Sequence, residues 1–390
     1  MYRRICNPLL SRSFFLFGAR GTGKTHLLRQ LFHTSRFKPG KVIWFDLLKE
    51  GELFTFVKNP DEMRQRIEGL STRPEWVVID EVQRAPQLLN TVHSLIESSD
   101  IKFALTGSSA RKLKRGGANL LAGRALLNNL FPLTFSELDK TFSLAEILRW
   151  GSLPSVINEK DTIVREQILK SYVEVYLREE IREEQIIRRL DTFARFLEAA
   201  AQSSGTIINL SKIGREAATD AKTVTRYFQI LEDTLLGYFL EPYHRSIRKR
   251  QRQHAKFYLF DIGVKRALEG VLHIPLTPKT YEWGKAFEHL VVLEAIRLNH
   301  YSRLNYRLSY LRTQSQLEVD LIAERKGSKT WVIEIKSGND VSDVDINKLN
   351  ALAREIPNAH PVILSTINHP KRVEGVRIIP WKDGLAELFG

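Results

Sequence analysis

Cysteine is almost absent: the 390 residues hold only Cys6. That excludes a disulfide framework or a cysteine-built zinc site within one chain, and a reducing, cytoplasmic setting is the expectation. Long apolar runs are missing too. None approaches the roughly 20 residues that a bilayer span requires, and the opening segment passes too soon into a glycine loop to read as a secretory leader. No membrane partner is therefore expected. Acidic residues are the minority, 45 Asp+Glu against 59 Lys+Arg, which leaves a formal +14. Such an excess favours a polyanionic partner such as nucleic acid, with a solvated basic surface as the plainer alternative.

What is present has the composition of an ordinary folded protein, 43% hydrophobic and 27% charged, and a chain of this size favours two to four domains. Over residues 1–132, short apolar runs at Ser13–Phe17, Val42–Asp46, Trp76–Asp80, 101–106 and 125–131 alternate with helical stretches. Strands apolar on both faces and separated by helices predict a parallel sheet covered on both sides. Residues 133–200 turn to amphipathic helices, including one over 162–187, and predict a helical lid. Residues 201–270 offer two short helices, 209–216 and 221–234, then β-rich 238–243 and 257–260, an order that fits a winged-helix-like segment. Residues 271–390 open with a helix from Tyr281 and alternate strand and helix, predicting a second, smaller α/β domain.

Gly18-Ala19-Arg20-Gly21-Thr22-Gly23-Lys24-Thr25 fills every fixed position of GxxxxGK[ST] between a strand and a helix, the context a phosphate-binding loop requires. Glycines let backbone amides turn toward phosphate oxygens, and the helix N-terminus adds partial positive charge. Lys24 would bridge the β- and γ-phosphates of ATP, with Thr25 and Asp80 holding Mg2+. The apolar strand that ends in Asp80-Glu81 makes Asp80 the metal-side carboxylate and Glu81 the general base.

Further on, Glu318 and Asp320 share one strand while Glu334 and Lys336 share another, with a short charged turn between. Period-two alternation puts Glu334 and Lys336 on one face, where Asp320 can meet them. Carboxylates converging beside an ammonium suggest a hard divalent cation, Mg2+ or Mn2+, with Lys336 orienting a water for phosphodiester cleavage. Glu288, on the helix that opens this region, could reach the same ion. Glu318 competes with Asp320, and neighbouring His289 reads as a helix-surface residue. Solvated charges on an exposed sheet are the plainer alternative.

The densest basic run includes Arg245, Arg248, Lys249, Arg250 and Arg252, where a winged helix would carry its wing. Such a run neutralises phosphates without reading sequence, and Lys222 and Arg226 on the preceding helix would make it the recognition helix. A hairpin facing the protein's own acidic helices is the competing reading.

The strand ending in Thr106-Gly107-Ser108-Ser109 gives the first region a resemblance to the AAA+ ATPases. That resemblance implies Ser108 or Ser109 as the sensor and Arg124 as an arginine finger acting on a neighbour's nucleotide, hence a homo-oligomer, with a ring as one form open to it. Arg124 as an ordinary surface residue is the plainer alternative, and Arg111 and its basic neighbours compete for the finger's role or could contact a nucleic acid backbone. The set Glu288, Asp320, Glu334 and Lys336 resembles the PD-(D/E)xK nucleases. Nearly the whole chain is similar to prokaryotic ATPases of the AAA family 14 with a DUF4143 C-terminal region, including the segments around Pro154 and Asp261-Ile262-Gly263, which carry no derivable chemistry. The resemblance implies an α/β protein: a P-loop AAA+ core, a helical lid, a winged-helix-like middle segment and a C-terminal restriction-endonuclease-like domain. The expected function is an ATP-dependent DNA-processing enzyme whose C-terminal domain cuts. The alternatives are a non-cleaving ATPase that binds nucleic acid, DNA ahead of RNA, and a STAND-like nucleotide switch with a protein partner.

Overall fold

The computed structural model describes residues 2–32, 37–38, 40–109, 111, 113, 121, 123–177, 190–243 and 255–390. Two compact units emerge, Met1–Leu133 with Asp233–Leu236, and Thr134–Glu232 with Gly237–Gly390.

The first unit is a five-stranded sheet with strands β1 (Ser13–Phe17), β2 (Val42–Asp46), β3 (Trp76–Asp80), β4 (Lys102–Gly107) and β5 (Ala125–Asn129) in the order β2-β3-β4-β1-β5. Every pairing is parallel. β1 and β3 are buried at every residue, as expected of strands covered on both faces. Helices α1 (Lys24–Phe32), α2 (Glu50–Lys58), α3 (Glu62–Glu68) and α4 (Leu88–Ser98) provide the cover, and one core cluster runs from Phe15 and Phe56 to Val92 and Leu105. In this strand order β4 lies between β1 and β3, so the loop after β1 and the ends of β3 and β4 meet at one edge.

In the second unit, short helices α5 (Leu144–Trp150) and α6 (Pro154–Asn158) lead to α7 (Thr162–Ser171). The helix expected over 162–187 is described only through its first part, since residues 178–189 lie outside the described residues. Next come α8 (Leu190–Gln202), α9 (Leu210–Glu216) and α10 (Ala221–Asp233). Phe193 and Phe196 of α8 pack on Tyr227 of α10 with ring centroids 4.8 and 5.2 Å away. The strands β6 (Gly237–Pro242) and β7 (Lys256–Leu259) form the expected antiparallel pair. Their sheet does not stop there. β6 also pairs with β8 (Arg307–Arg312) through Glu241↔Ser309 and Pro242↔Tyr310, and the sheet continues through β9 (Glu318–Glu324), β10 (Thr330–Lys336), β11 (Ala359–Ser365), β13 (Val376–Pro380) and β12 (Lys371–Val373). Around it lie α11 (Ile262–Leu268), α12 (Tyr281–Tyr301), α13 (Asp343–Arg354) and α14 (Trp381–Phe389). Among the described residues no helix is long and apolar enough to cross a membrane.

The segments around Pro154 and Asp261, mute in the sequence, dock on each other. Asp261 Oδ2 accepts from the Ser152 N–H at 2.7 Å while Oδ1 caps α11 at Val264 N, 3.1 Å away. A Cβ on Gly151 would lie 2.1 Å from Asp261 Oδ1, and one on Gly263 would lie 2.0 Å from the Trp150 carbonyl oxygen. Both glycines are needed because the backbones touch where any side chain would stand.

Candidate functional site

The loop from Gly18 to Gly23 turns on two glycines in the left-handed region, Gly21 at φ 82° and Gly23 at φ 93°. Gly18 faces the Leu130 carbonyl so closely that a Cβ would come within 2.4 Å of it. Ala19 and Thr22 are buried, and Thr22 Oγ1 donates to the Ala19 carbonyl at 2.8 Å. Arg20 and Gly21 are exposed. From outside the expected set, Arg4 braces the loop by donating to the carbonyls of Thr22 and Phe131, each at 2.6 Å.

Lys24, the first residue of α1, is 6% exposed, and its ammonium donates to the Gly18 carbonyl at 2.9 Å with Glu81 Oε1 3.8 Å away. Thr25 Oγ1 donates to Asp80 Oδ2 at 2.6 Å. A hydroxyl and a carboxylate meeting behind a phosphate loop are the hard oxygen donors that Mg2+ takes, so this donor set fits the metal that ATP carries.

Two residues outside the expected set complete the arrangement. Thr106, at the end of β4, donates its hydroxyl to Asp80 Oδ1 and accepts the Glu81 N–H at 2.9 Å. It thereby fixes a left-handed backbone at Glu81, where φ is 60°. Gln83 donates its side-chain amide to Glu81 Oε2 and lies 3.4 Å from Ser108 Oγ. Ser108 is thus one bridge removed from Glu81, while Ser109 is turned toward the Asp233 carbonyl, 3.4 Å away. Thr106 was visible in the sequence as the polar residue that ends an apolar strand.

Arg124 stands just before Ala125, which pairs with Ser13 at the start of β1. It is therefore at the strand edge opposite the phosphate loop, where it is ion-paired with Glu97. Arg111 pairs with Asp233 at 2.9 Å.

In the second unit the acidic set does converge, but on an ammonium. Lys256 of β7, 3% exposed, places Nζ 3.1 Å from Glu288 Oε1 and 2.5 Å from Glu318 Oε1. Burial works against that ammonium, yet Glu288, Asp320 and Glu318 outweigh it and hold the Lys256 pKa above the usual lysine value. Tyr258 also donates to Glu288 Oε1, at 2.9 Å. Asp320 Oδ2 accepts the Ile335 N–H at 2.7 Å. Burial first, then Glu334 and Glu288, push the Asp320 carboxyl well above the usual carboxylate range.

The Lys336 ammonium lies 2.7 Å from Asp345 Oδ1 and 3.1 Å from Glu334 Oε1. Lys348 takes the same Glu334 oxygen at 3.1 Å. Among the described residues, no three His, Cys, Asp or Glu side chains are grouped to hold a metal ion. A buried lysine from another strand thus engages Glu288 and Glu318, while Glu334 is met by Lys336 and Lys348. Nothing in the motif itself could announce that, since Lys256 is 32 residues before Glu288 in sequence. His289 departs from expectation, being buried at 2% exposure rather than on the helix surface.

On α10, Lys222 and Arg226 are exposed one turn apart while Val224, Tyr227 and Phe228 face the core. Thr223 is engaged with Asp220, its N–H 2.8 Å and its hydroxyl 3.0 Å from that carboxylate. Arg245, Arg248, Lys249, Arg250 and Arg252 lie outside the described residues.

The parallel five-stranded sheet has β4 between the phosphate-loop strand and the acidic strand, and residues 11–139 match the family model described as AAA domain. Over nearly its whole length this unit is thus similar to an AAA domain. Residues 141–273 and 283–383 match two domains of unknown function, DUF8612 and DUF4143. An uncharacterized protein of Haemophilus influenzae is 24% identical over 342 residues, covering 82% of this chain and 80% of its own. One of Mycobacterium tuberculosis is 28% identical over 278 residues, covering 69% of this chain, which spans 60% of that relative's length. Among solved structures, Cdc6p from Pyrobaculum aerophilum aligns at 15% identity and TM-score 0.28 over 67% of this chain and 86% of its own. AMPPCP-bound DnaA from Aquifex aeolicus aligns at 16% identity and TM-score 0.27 over 57% of this chain and 82% of its own.

Proposed function

We propose that the protein hydrolyses ATP to drive the remodelling or translocation of a bound nucleic acid, DNA ahead of RNA, and that its C-terminal part binds without cutting. The observation that carries the first half is the chain of contacts Thr25–Asp80–Thr106–Glu81, which sets a hydroxyl and two carboxylates around the point where the γ-phosphate of ATP would end.

In this reading the backbone amides of Gly21 to Lys24 receive the phosphates, and the Lys24 ammonium leaves the Gly18 carbonyl for the β- and γ-oxygens. Bound Mg2+, held by Thr25 and Asp80, would neutralise charge on the transferred phosphoryl group. Glu81 polarises the attacking water and Gln83 holds its carboxylate in place until substrate arrives. Arg124, on the far strand edge and paired with Glu97, would act on a neighbouring copy's nucleotide once released from that pair, which supports a homo-oligomer as the active form.

The case for nucleic acid is the formal +14 and the exposed pair Lys222 and Arg226. The case against cutting is Lys256, whose ammonium fills the place among Glu288, Glu318 and Asp320 that a catalytic cation would need. One observation favours cleavage: Glu334 Oε2 is buried with no hydrogen-bond partner.

Two assays test the proposal together. ATP turnover should rise when DNA is added, and labelled single- and double-stranded DNA should stay intact with Mg2+ or Mn2+. Turnover indifferent to nucleic acid would sink the first part. Cutting that disappears in Lys336→Ala would restore the nuclease.

A further inference from the structure

The segment that precedes β1 lies against the end of β5. Cys6 is buried there, with Sγ 3.8 Å from the Asn129 carbonyl oxygen. Nearby Arg4 uses its guanidinium as a fork: Nη1 donates to the Thr22 carbonyl and Nη2 to the Phe131 carbonyl, each at 2.6 Å. A planar guanidinium fixes the directions of both bonds at once. The Phe131 end is anchored, because that residue is buried and its neighbour Leu130 donates its N–H to the Phe17 carbonyl of β1 at 2.7 Å. The Thr22 end is the turn that closes the phosphate loop.

Thr22 shares a peptide unit with Gly23. That unit is planar and trans, so its C=O and N–H point in opposite directions. With the Thr22 oxygen drawn to Arg4, the Gly23 N–H is turned to the other side, and among the described residues no carbonyl or side chain accepts it. Gly23, at φ 93°, adopts this backbone readily, and the same permissiveness lets the peptide turn over unless something holds it. Beyond its chain neighbours, a Cβ on Gly23 would meet only Arg4 Nη1, 3.7 Å away.

We infer that Arg4 is a positioning residue for nucleotide binding: it holds the Thr22–Gly23 peptide with its N–H directed into the hollow of the loop, where a β-phosphate oxygen would accept it. The inference rests on the reading of this loop as the ATP site. An amide that is already aimed has little orientational freedom to lose when the phosphate arrives, which raises affinity without altering the chemical step. ADP and ATP share the β-phosphate, so both feel Arg4 alike.

The test is equilibrium titration of the full chain with ADP and with ATP, beside steady-state turnover. Arg4→Ala should weaken both nucleotides by the same factor, about tenfold or more, and leave kcat at saturating ATP within about twofold of the wild type. Arg4→Lys keeps the charge without the planar fork, so its affinities should fall between the two, and it decides alone if Arg4→Ala fails to fold. Affinity restored in full by Arg4→Lys would make the residue no more than a charge near the phosphates and overturn the positioning role. A loss confined to ATP, or a fall in kcat as large as the loss of affinity, would overturn it too, by placing the guanidinium on the γ-phosphate. A wild type that binds neither nucleotide sinks the reading of the loop and this inference with it, whereas tight binding kept by both variants sinks the inference alone.

Discussion

Lys256 and Glu288 are joined across two elements of the second unit, with Nζ 3.1 Å from Oε1 and the lysine almost wholly removed from solvent. Replacing the lysine by an apolar residue of similar length leaves Glu288, Glu318 and Asp320 facing one another. Lys256→Met should cost roughly 3–5 kcal/mol, the usual penalty for orphaning a buried charge. Adding Mn2+ should then raise the thermal midpoint of the variant and leave that of the wild type where it was, because the ion can take the ammonium's place. Thermal melts of both proteins with and without the metal give the answer, and an equal shift in the two would show that the acids bind metal regardless of Lys256.

Glu81 is held by Gln83 through its side chain and by Thr106 through its backbone. Glu81→Gln should retain ATP and slow its hydrolysis by about a hundredfold, whereas Lys24→Ala should lose turnover with an unchanged melting temperature. Nucleotide affinity measured beside single-turnover rates separates the two effects. Normal rates in Glu81→Gln would hand the base's role to another residue.

Gly263 leaves no room for a methyl group, since its Cβ would stand 2.0 Å from the Trp150 carbonyl oxygen. Gly263→Ala should therefore destabilise the second unit by about 3 kcal/mol or more, despite alanine's better helix propensity. Denaturant melts read the change. A neutral result would mean that α5 and α11 separate freely.

Lys222 and Arg226 are both exposed. If they touch phosphates, the double change to Ala should lower the slope of log affinity against log salt by about 2 and weaken all sequences alike. Fluorescence anisotropy over a salt series measures it, and an unaltered slope would move the contact surface off α10.

How much of this was legible depended on whether the information was local. The phosphate loop was, because GxxxxGKT binds through backbone turns that its own glycines allow. The same holds for β3, whose continuous apolar run predicts burial on both faces and whose last residues are Asp80 and Glu81. Thr106 was half legible, as a hydroxyl at a strand end, but its bond to Asp80 depends on β4 lying beside β3. Most of the C-terminal acids are read from their spacing within one hairpin, and the cation that meets Glu288 and Glu318 comes from β7. A pattern confined to 288–336 cannot contain it. His289 was misread because a polar residue on a long helix is ordinarily exposed, and here helix α12 is buried on most of its circumference. The motifs around Pro154 and Asp261 had no local chemistry to read, since their purpose is mutual fit across more than a hundred residues.

The pairing of β6 with β8 bears on how the protein can be divided. A fragment beginning at residue 271 would lose β6, baring the backbone N–H and C=O groups of Glu241's partner Ser309 and of Tyr310. An uncovered strand edge recruits further strands. Such a piece, cut where the sequence suggests a boundary, should self-associate edge to edge, whereas one that keeps everything from Thr134 onward retains the neighbour that blocks this.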